Sequence, residues 1–593
     1  MIVDTEGFIV PEQKKKQSSY LILSILLVFS GSGLISIFLL NTNYGLVDVS
    51  LIKISNENSY LTGLLYKPIE ASGDNPLPTV ICAHGISNSK HTMSGMALEL
   101  GRRGFIALAL DLAGHGNSEP SKDDSSLGII SAIEYLDTLS YADTSSIGIV
   151  GHSMGAWAAW ATALKHGNIS ATVLIGGVPD LSVNGTNSGK YNSTFPKNLL
   201  VAVGKYDEFF TDVNLLTTDL MELFGTTNPV VPNHAFYGSF QPERQDARRL
   251  VISSTIHILE PIDPLIVTET IQWMQTALKV DGYVDEYFIP HSNLIFPLRD
   301  VTSLITLISI ICLFLSIASL IYHTNAFEEE KSSHKLDFEK PSLKKTGLVW
   351  GSLVIVLYFP VMLIGTFIPV PPMTFAPSIA LWFLMINSIL FAIIYLFSSY
   401  FEMNHSLREV LKKDRRVWWV KRGVGLVCGI IASLYGIMFI LNNFFSIQLG
   451  FIIAFFSNLL IFPRIVSFVI LLPLFLIYFL IDGLLFHADL TTPNNGSAFR
   501  EDLTQIGRLL VAKVWPFLLV VGCIYIPRIV FDINLLPGGL ITLSIQFYWV
   551  LGLFIIAGSL ISWFWYHLSN SIVPGAVFNS LLFVWILTSL LPV

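Results

Sequence analysis

One serine stands out for its neighbours. Ser145 to His166 reads SSIGIVGHSMGAWAAWATALKH, so a short apolar run, Ile147 to Val150, leads into Gly151-His152-Ser153-Met154-Gly155 and then an Ala- and Trp-rich helical stretch. A serine hydroxyl is a weak nucleophile until a base removes its proton, and it must stand clear of the backbone to react. Small residues two positions to either side let the chain pass close to itself in a sharp strand-to-helix turn that lifts the hydroxyl out, as in the G-x-S-x-G elbow. The helix beginning after Ser153 also directs its N-terminal amides toward a developing negative oxygen. The chemistry this predicts is nucleophilic attack on a carbonyl.

The elements needed to position such a turn lie upstream. Leu77 to Gly85, LPTVICAHG, has the form of a strand ending in His-Gly. Met96 to Glu119, MALELGRRGFIALALDLAGHGNSE, reads as helix, strand and a loop of the form D-x-x-G-H-G-x-S. The His-Gly ending, Asp111 to Ser118, and Gly151 to Gly155 occur in an order and at spacings that resemble the α/β-hydrolase superfamily, in its esterase and lipase branch. The resemblance covers residues 42–297 and is silent on the rest of the chain.

What the resemblance implies can be placed residue by residue. The family orders its triad as serine, acid, histidine. Asn198 to Gly204 reads as an apolar strand followed at once by Lys205-Tyr206-Asp207-Glu208, and Asp207 rather than Glu208 is the expected acid. Arg249 to Ser254 reads as the last strand, and His257 in the loop after it is the expected general base, ahead of His234 in a turn-like stretch. Imidazole suits that role because it titrates near neutrality. The oxyanion hole needs two backbone N–H donors, assigned to Met154 and Ile86. Here the sequence departs from the HGGG form of many lipases, having His-Gly-Ile-Ser, which leaves the second donor the less determined of the two. His84 and His115 read as structural. The interval 177–197 is too short for a large lid, and Phe236 to Phe240 is a candidate small flap.

The fold class expected is α/β, a mostly parallel sheet flanked by helices, joined to an all-α membrane part. Composition requires the second half of that statement. The 593 residues are 52 % hydrophobic and 13 % charged, against roughly 25 % charged in soluble domains, and the mean hydropathy is +0.61. Residues 1–18 form a tail containing Lys14, Lys15 and Lys16. Residues 19–41 form an apolar run long enough to cross a bilayer, read as an uncleaved anchor because no small-residue cleavage site follows it. Residues 42–297 carry the hydrolase pattern, and 298–593 are apolar with about nine helices, near 301–322, 346–368, 376–400, 421–442, 446–462, 465–486, 508–527, 538–566 and 572–592. Pro463-Arg464 interrupts the stretch 446–486, which reads as two spans or as one span with a re-entrant half. Arg464, Asp482, Lys513 and Arg528 read as interfacial or snorkelling residues near span ends.

Basic clusters at 14–16, 331–345 and 408–416 agree on one orientation with the hydrolase segment outside the cytoplasm. Arg500 and Arg508, counted over two spans in 446–486, fall outside and run against the rule. The four cysteines form no CxxC pair, so no metal site, redox motif or cofactor is expected. The net charge of -8 with no basic aromatic-laced patch argues against nucleic acid as partner. The expected partners are an ester or lipid-like small molecule and the bilayer of a cell membrane. Two other functions stay open: a transporter or assembly factor with a hydrolase-like domain, and a serine peptidase.

Overall fold

The computed structural model describes residues 12–56, 59–121, 124–177, 191–210, 220–228, 230–278, 289–324, 342–365, 376–401, 421–450, 461–487, 498–536, 539–569 and 571–593. The chain divides into two compact units, one of residues 32–306, 438–461 and 589–593, the other of 1–31, 307–437 and 462–588.

The first unit is built on a nine-stranded sheet. Its strands are β1 (Val47–Asn56), β2 (Ser59–Pro68), β3 (Leu77–Ala83), β4 (Ile106–Leu110), β5 (Ala142–His152), β6 (Ile169–Ile175), β7 (Leu199–Gly204), β8 (Phe236–Tyr237) and β9 (Arg248–Ser253). They lie in the order β1-β2-β4-β3-β5-β6-β7-β9-β8. From β4 to β9 every pairing is parallel, while β1 and β2 close one edge and β8 the other in antiparallel fashion. Parallel strands covered on both faces should be apolar throughout rather than alternating, and IALAL of β4 and ISATVLI of β6 are buried along their whole lengths.

Successive side chains still part to opposite faces. Ile81, Ile149, Val201 and Val203 join one core, against α3 (Ile129–Asp137) and α4 (Met154–Ala163). Val80, Cys82, Val150, Val173 and Ala202 join the other, against α2 (Lys90–Gly101) and α5 (Pro264–Leu278). Helices on both faces of one sheet make a three-layer α/β sandwich whose strand C-termini open at one end. The expected fold class is what is found.

Nine helices among the described residues are long and apolar enough to cross a membrane. The first lies within α1 (Glu12–Asn41). The others are α6 (Phe296–Tyr322), α7 (Leu343–Gly365), α8 (Ala376–Leu396), α9 (Lys421–Phe445), α10 (Phe462–Asp482) continued by a π-helical turn at Gly483–His487, α11 (Ala498–Phe531), α12 (Gly539–Ser569) and α13 (Val573–Leu590). Among the described residues of 298–593 there are eight such helices. The expected helix near 446–462 falls largely on residues outside the described ones. Ser446 takes a left-handed conformation with φ 52°, the Ile447 N–H returns to the Leu441 carbonyl, and Ser446 to Gly450 have no regular structure. Residues 451–460 lie outside the described residues.

Within the second unit, three of the four ionisable residues read as interfacial are buried against protein groups. Arg464, Asp482 and Lys513 are each at most 2 % exposed. They are held by protein groups: Arg464 donates to the Thr588 carbonyl, and Lys513 pairs with Asp482. Burial of a charge in an apolar medium requires such a partner.

Candidate active site

The C-terminal ends of β3, β5, β7 and β9 carry the residues singled out by sequence. β5 ends at His152, and Ser153 sits at φ 53° and ψ −116°, a strained conformation for a residue with a side chain. Two glycines make the turn possible. A Cβ on Gly151 would lie 2.1 Å from the Gly155 carbonyl oxygen, and one on Gly155 would lie 2.5 Å from that of Ala83 and 2.6 Å from that of His84. The Ser153 N–H is tied to the Ile175 carbonyl at the end of β6. The serine side chain is half-buried. Among the described residues neither the Met154 nor the Ile86 N–H makes a hydrogen bond, so both donors assigned to the oxyanion hole are open.

β7 delivers Asp207 and β9 delivers His257. Asp207 Oδ2 lies 2.7 Å from His257 Nδ1, and both groups are buried. Glu208 does something else: its Oε2 accepts the backbone N–H of His257 at 3.2 Å. The Asp207 contact fixes the imidazole tautomer, with the proton on Nδ1. Burial alone would lower the His257 pKa, but the Asp207 charge and hydrogen bond, helped by Glu208, hold it above the ordinary value. The Phe209 ring packs 4.7 Å from the imidazole. Ser153 and His257 are neighbours through Gly176, which follows the Ser153 partner Ile175 and whose added Cβ would come 2.9 Å from His257 Cε1. They share no hydrogen bond among the described residues. In ligand-free sites such contacts are commonly long and tighten with substrate.

Two groups at the site escaped the sequence reading. Glu260, in the 3-10 turn after His257, is fully buried; its Oε1 accepts the Gly204 N–H at 2.5 Å and its Oε2 lies 3.4 Å from both His257 Nδ1 and His152 Nε2. Burial, then the adjacent Asp207 charge and a hydrogen bond with that carboxylate, push its pKa well above the ordinary range. A protonated carboxyl can donate from one oxygen while the other still accepts. His152 donates from Nε2 to the His257 carbonyl at 3.1 Å. Burial and then the His257 charge hold it well below its ordinary pKa, hence neutral. Spacing gives no warning of Glu260, because one turn of loop geometry decides which way it points.

His152, His257 and Glu260 place three potential metal-ligand atoms within 4.8 Å of one another. The donor set does not suit a cation. His152 Nε2 and His257 Nδ1 both carry protons, engaged by a carbonyl and by Asp207.

The remaining histidines play supporting parts. His84 Nδ1 donates to the Gly85 carbonyl, its Nε2 accepts the Leu112 N–H, and burial lowers its pKa to about 4. His115 contacts the Ala113 carbonyl at 3.0 Å. His234 pairs instead with Glu269 at 3.4 Å. The D-x-x-G-H-G-x-S loop is organised by Asp111, which takes the Lys90 N–H and ammonium, the Asn117 N–H and the Thr62 hydroxyl. Burial would raise that carboxyl, but Lys90 above all holds it well below the usual range. Phe236 to Phe240 does not cover the site. β8 pairs with Arg248 and Arg249 at the start of β9, and Phe236 and Phe240 pack on Trp273, whose Nε1 bonds the Asn198 carbonyl before β7. That is the opposite end of the sheet. Within the interval 177–197, residues 178–190 lie outside the described residues.

The family model described as alpha/beta hydrolase family matches residues 80–292. This segment is an α/β-hydrolase domain. Solved structures similar to it include an esterase of Pyrococcus furiosus, at 18 % identity over 39 % of this chain and 92 % of that one, TM-score 0.29. A CIB-like hydrolase from Thermoplasma acidophilum matches at 15 % identity over 39 % and 99 %, TM-score 0.28. A dienelactone hydrolase from Anabaena variabilis matches at 18 % identity over 39 % and 99 %, TM-score 0.28. No curated protein matches the chain.

Proposed function

We propose that the protein is a membrane-bound serine hydrolase that cleaves carboxylic esters of apolar acyl groups, with Ser153 as nucleophile, His257 as general base and Asp207 as its orienting acid. The observation that carries this reading is the 2.7 Å contact between Asp207 and His257 Nδ1 beside the strained turn that holds Ser153. His257 Nε2 takes the Ser153 proton as Oγ attacks the ester carbonyl. The tetrahedral oxyanion is received by the Met154 and Ile86 N–H groups. Collapse breaks the bond to the alcohol, which leaves with the proton from His257. Water, deprotonated by the same imidazole, then hydrolyses the acyl-enzyme. The Phe209 ring against His257 favours an acyl chain over a charged substrate.

The test is covalent. An organophosphonate probe is expected to label Ser153, and Ser153→Ala is expected to lose both labelling and ester hydrolysis while keeping abundance and protease resistance. Comparable hydrolysis by the Ala variant, or labelling of another serine, overturns the assignment. A parallel panel of esters and peptides separates this reading from that of a serine peptidase.

A further inference from the structure

The membrane unit holds ionisable groups that ester hydrolysis does not use. Lys513, in the middle of α11, places Nζ 2.8 and 2.6 Å from the two Asp482 oxygens at the end of α10. His487 places Nε2 3.6 Å from Asp482 Oδ2, beyond hydrogen-bond reach. The three side chains are at most 3 % exposed, and among the described residues neither His487 ring nitrogen has a hydrogen-bond partner. A buried imidazole without partners beside a carboxylate is a costly arrangement, and an ionisable group inside a membrane span is by default a functional one.

The backbone is shaped to produce it. Were α10 to continue as an α-helix, a residue five positions beyond Asp482 would turn away from it. The π turn at Gly483–His487 widens the pitch to i→i+5 and returns His487 over the Asp482 face. Gly483 is required there, since a Cβ would meet Ile572 at 2.9 Å. The Phe486 and Trp350 rings lie 4.4 and 5.9 Å from Lys513 Nζ and shield the pair.

A second acid–histidine pair joins α11 and α12. His567, near the end of α12, is 3.7 Å from Asp502 in the first turns of α11, with exposures of 26 and 43 %. His567 is within electrostatic reach of His487. Asp502 and Lys513 are separated by about 16 Å along α11 at the α-helical rise. The titratable groups facing the site are therefore Tyr478 from α10, Lys513 from α11 and His567 from α12, with Asp502 behind it; α7 contributes the Trp350 ring.

We propose that His487 is a proton-binding site inside the membrane unit, read out by exchange of the Asp482 partner. A proton leaving hydronium forms an N–H bond at His487 Nε2, leaving water behind. The imidazolium then donates to Asp482 Oδ2 and competes with Lys513 for the carboxylate. Loss of the proton restores the Lys513 pair. The ligand is a proton, and the movable element is the α10–α11 contact that Lys513 and Asp482 hold together.

The full-length protein in detergent tests this by proton uptake between about pH 8 and about pH 5, the range in which imidazole titrates. His487→Gln is expected to bind one proton fewer per chain than the parent, at matched thermal stability. Asp482→Asn keeps the imidazole but removes the charge that favours its protonation, so this proton is expected to bind about tenfold more weakly. An unchanged proton count in His487→Gln, or equally tight binding of this proton in Asp482→Asn, overturns the proposal. Neither readout depends on Ser153.

Discussion

Two neighbouring acids, Asp207 and Glu208, do different work, and substitution should separate them. Asp207 holds the imidazole N–H and Glu208 the backbone N–H of the same histidine. Asp207→Asn is expected to leave the fold intact but favour the wrong tautomer, lowering turnover by about 10⁴. Glu208→Gln should cost far less; reversed effects in a phosphonate-labelling time course would exchange their roles. Glu260 is a positioning residue with a pH signature. Its folded pKa lies above the ordinary 4.5, so the folded state binds the proton more tightly than the unfolded chain. Stability then falls as pH rises from about 4.5 toward the folded pKa. Glu260→Gln mimics the protonated form. It is expected to melt at a higher temperature than the parent at alkaline pH and to lose that advantage below about pH 4.5. Equal melting curves across the range would show that Glu260 is not held protonated. Below its raised pKa His257 carries a proton and is no base, so labelling of Ser153 should rise with pH through a midpoint above 6.5 in the parent and at a lower pH in Asp207→Asn.

The elements that hold these residues were legible where local chemistry decides them. The elbow could be read because Gly151 and Gly155 are forced by close backbone approach, and that requirement is written in the residue types. Gly155→Ala tests it: with carbonyl oxygens at 2.5 and 2.6 Å from the new Cβ, the turn must shift. The variant should lose labelling even where it still folds, as measured by circular dichroism and probe incorporation on the same sample. A fully labelled variant would mean that the turn has slack. Strands β3, β4, β5 and β7 were legible because strands buried on both faces are continuously apolar. Elements whose placement depends on tertiary pairing were not. Phe236 to Phe240 looked free to cover the site until Trp273 and the start of β9 claimed it at the far end of the sheet. Lys513 and Asp482 looked interfacial because their pairing joins residues 31 positions apart. Glu260 and the π turn at Gly483 to His487 have no periodic signature at all.

At the scale of the whole chain, the stretch 446–461 decides between two topologies. Residues 451–461 would extend only about 16 Å as an α-helix, about half the hydrocarbon thickness, and Ser446 to Gly450 are not helical. If nothing in 446–461 crosses, the nine helices among the described residues, counting α1, make a nine-span chain. With the N-terminal lysines in the cytoplasm, the clusters at 331–345 and 408–416 also fall inside, and Arg500 and Arg508 now join them. The one conflict with the positive-inside rule in the ten-span reading disappears. On that reading the hydrolase segment is expected outside and the segment 488–497 in the cytoplasm. Val593, after the ninth span, would then be outside with the hydrolase segment, in keeping with its N–H bond to the Gly114 carbonyl. Protease added to intact cells is expected to cleave a tag inserted in 180–190 and to spare tags in 331–340 and in 491–497. The last tag discriminates, because a ten-span chain exposes it along with the hydrolase segment. Cleavage at 491–497 would restore a span within 446–462, and protection at 180–190 with cleavage at 331–340 would invert the orientation.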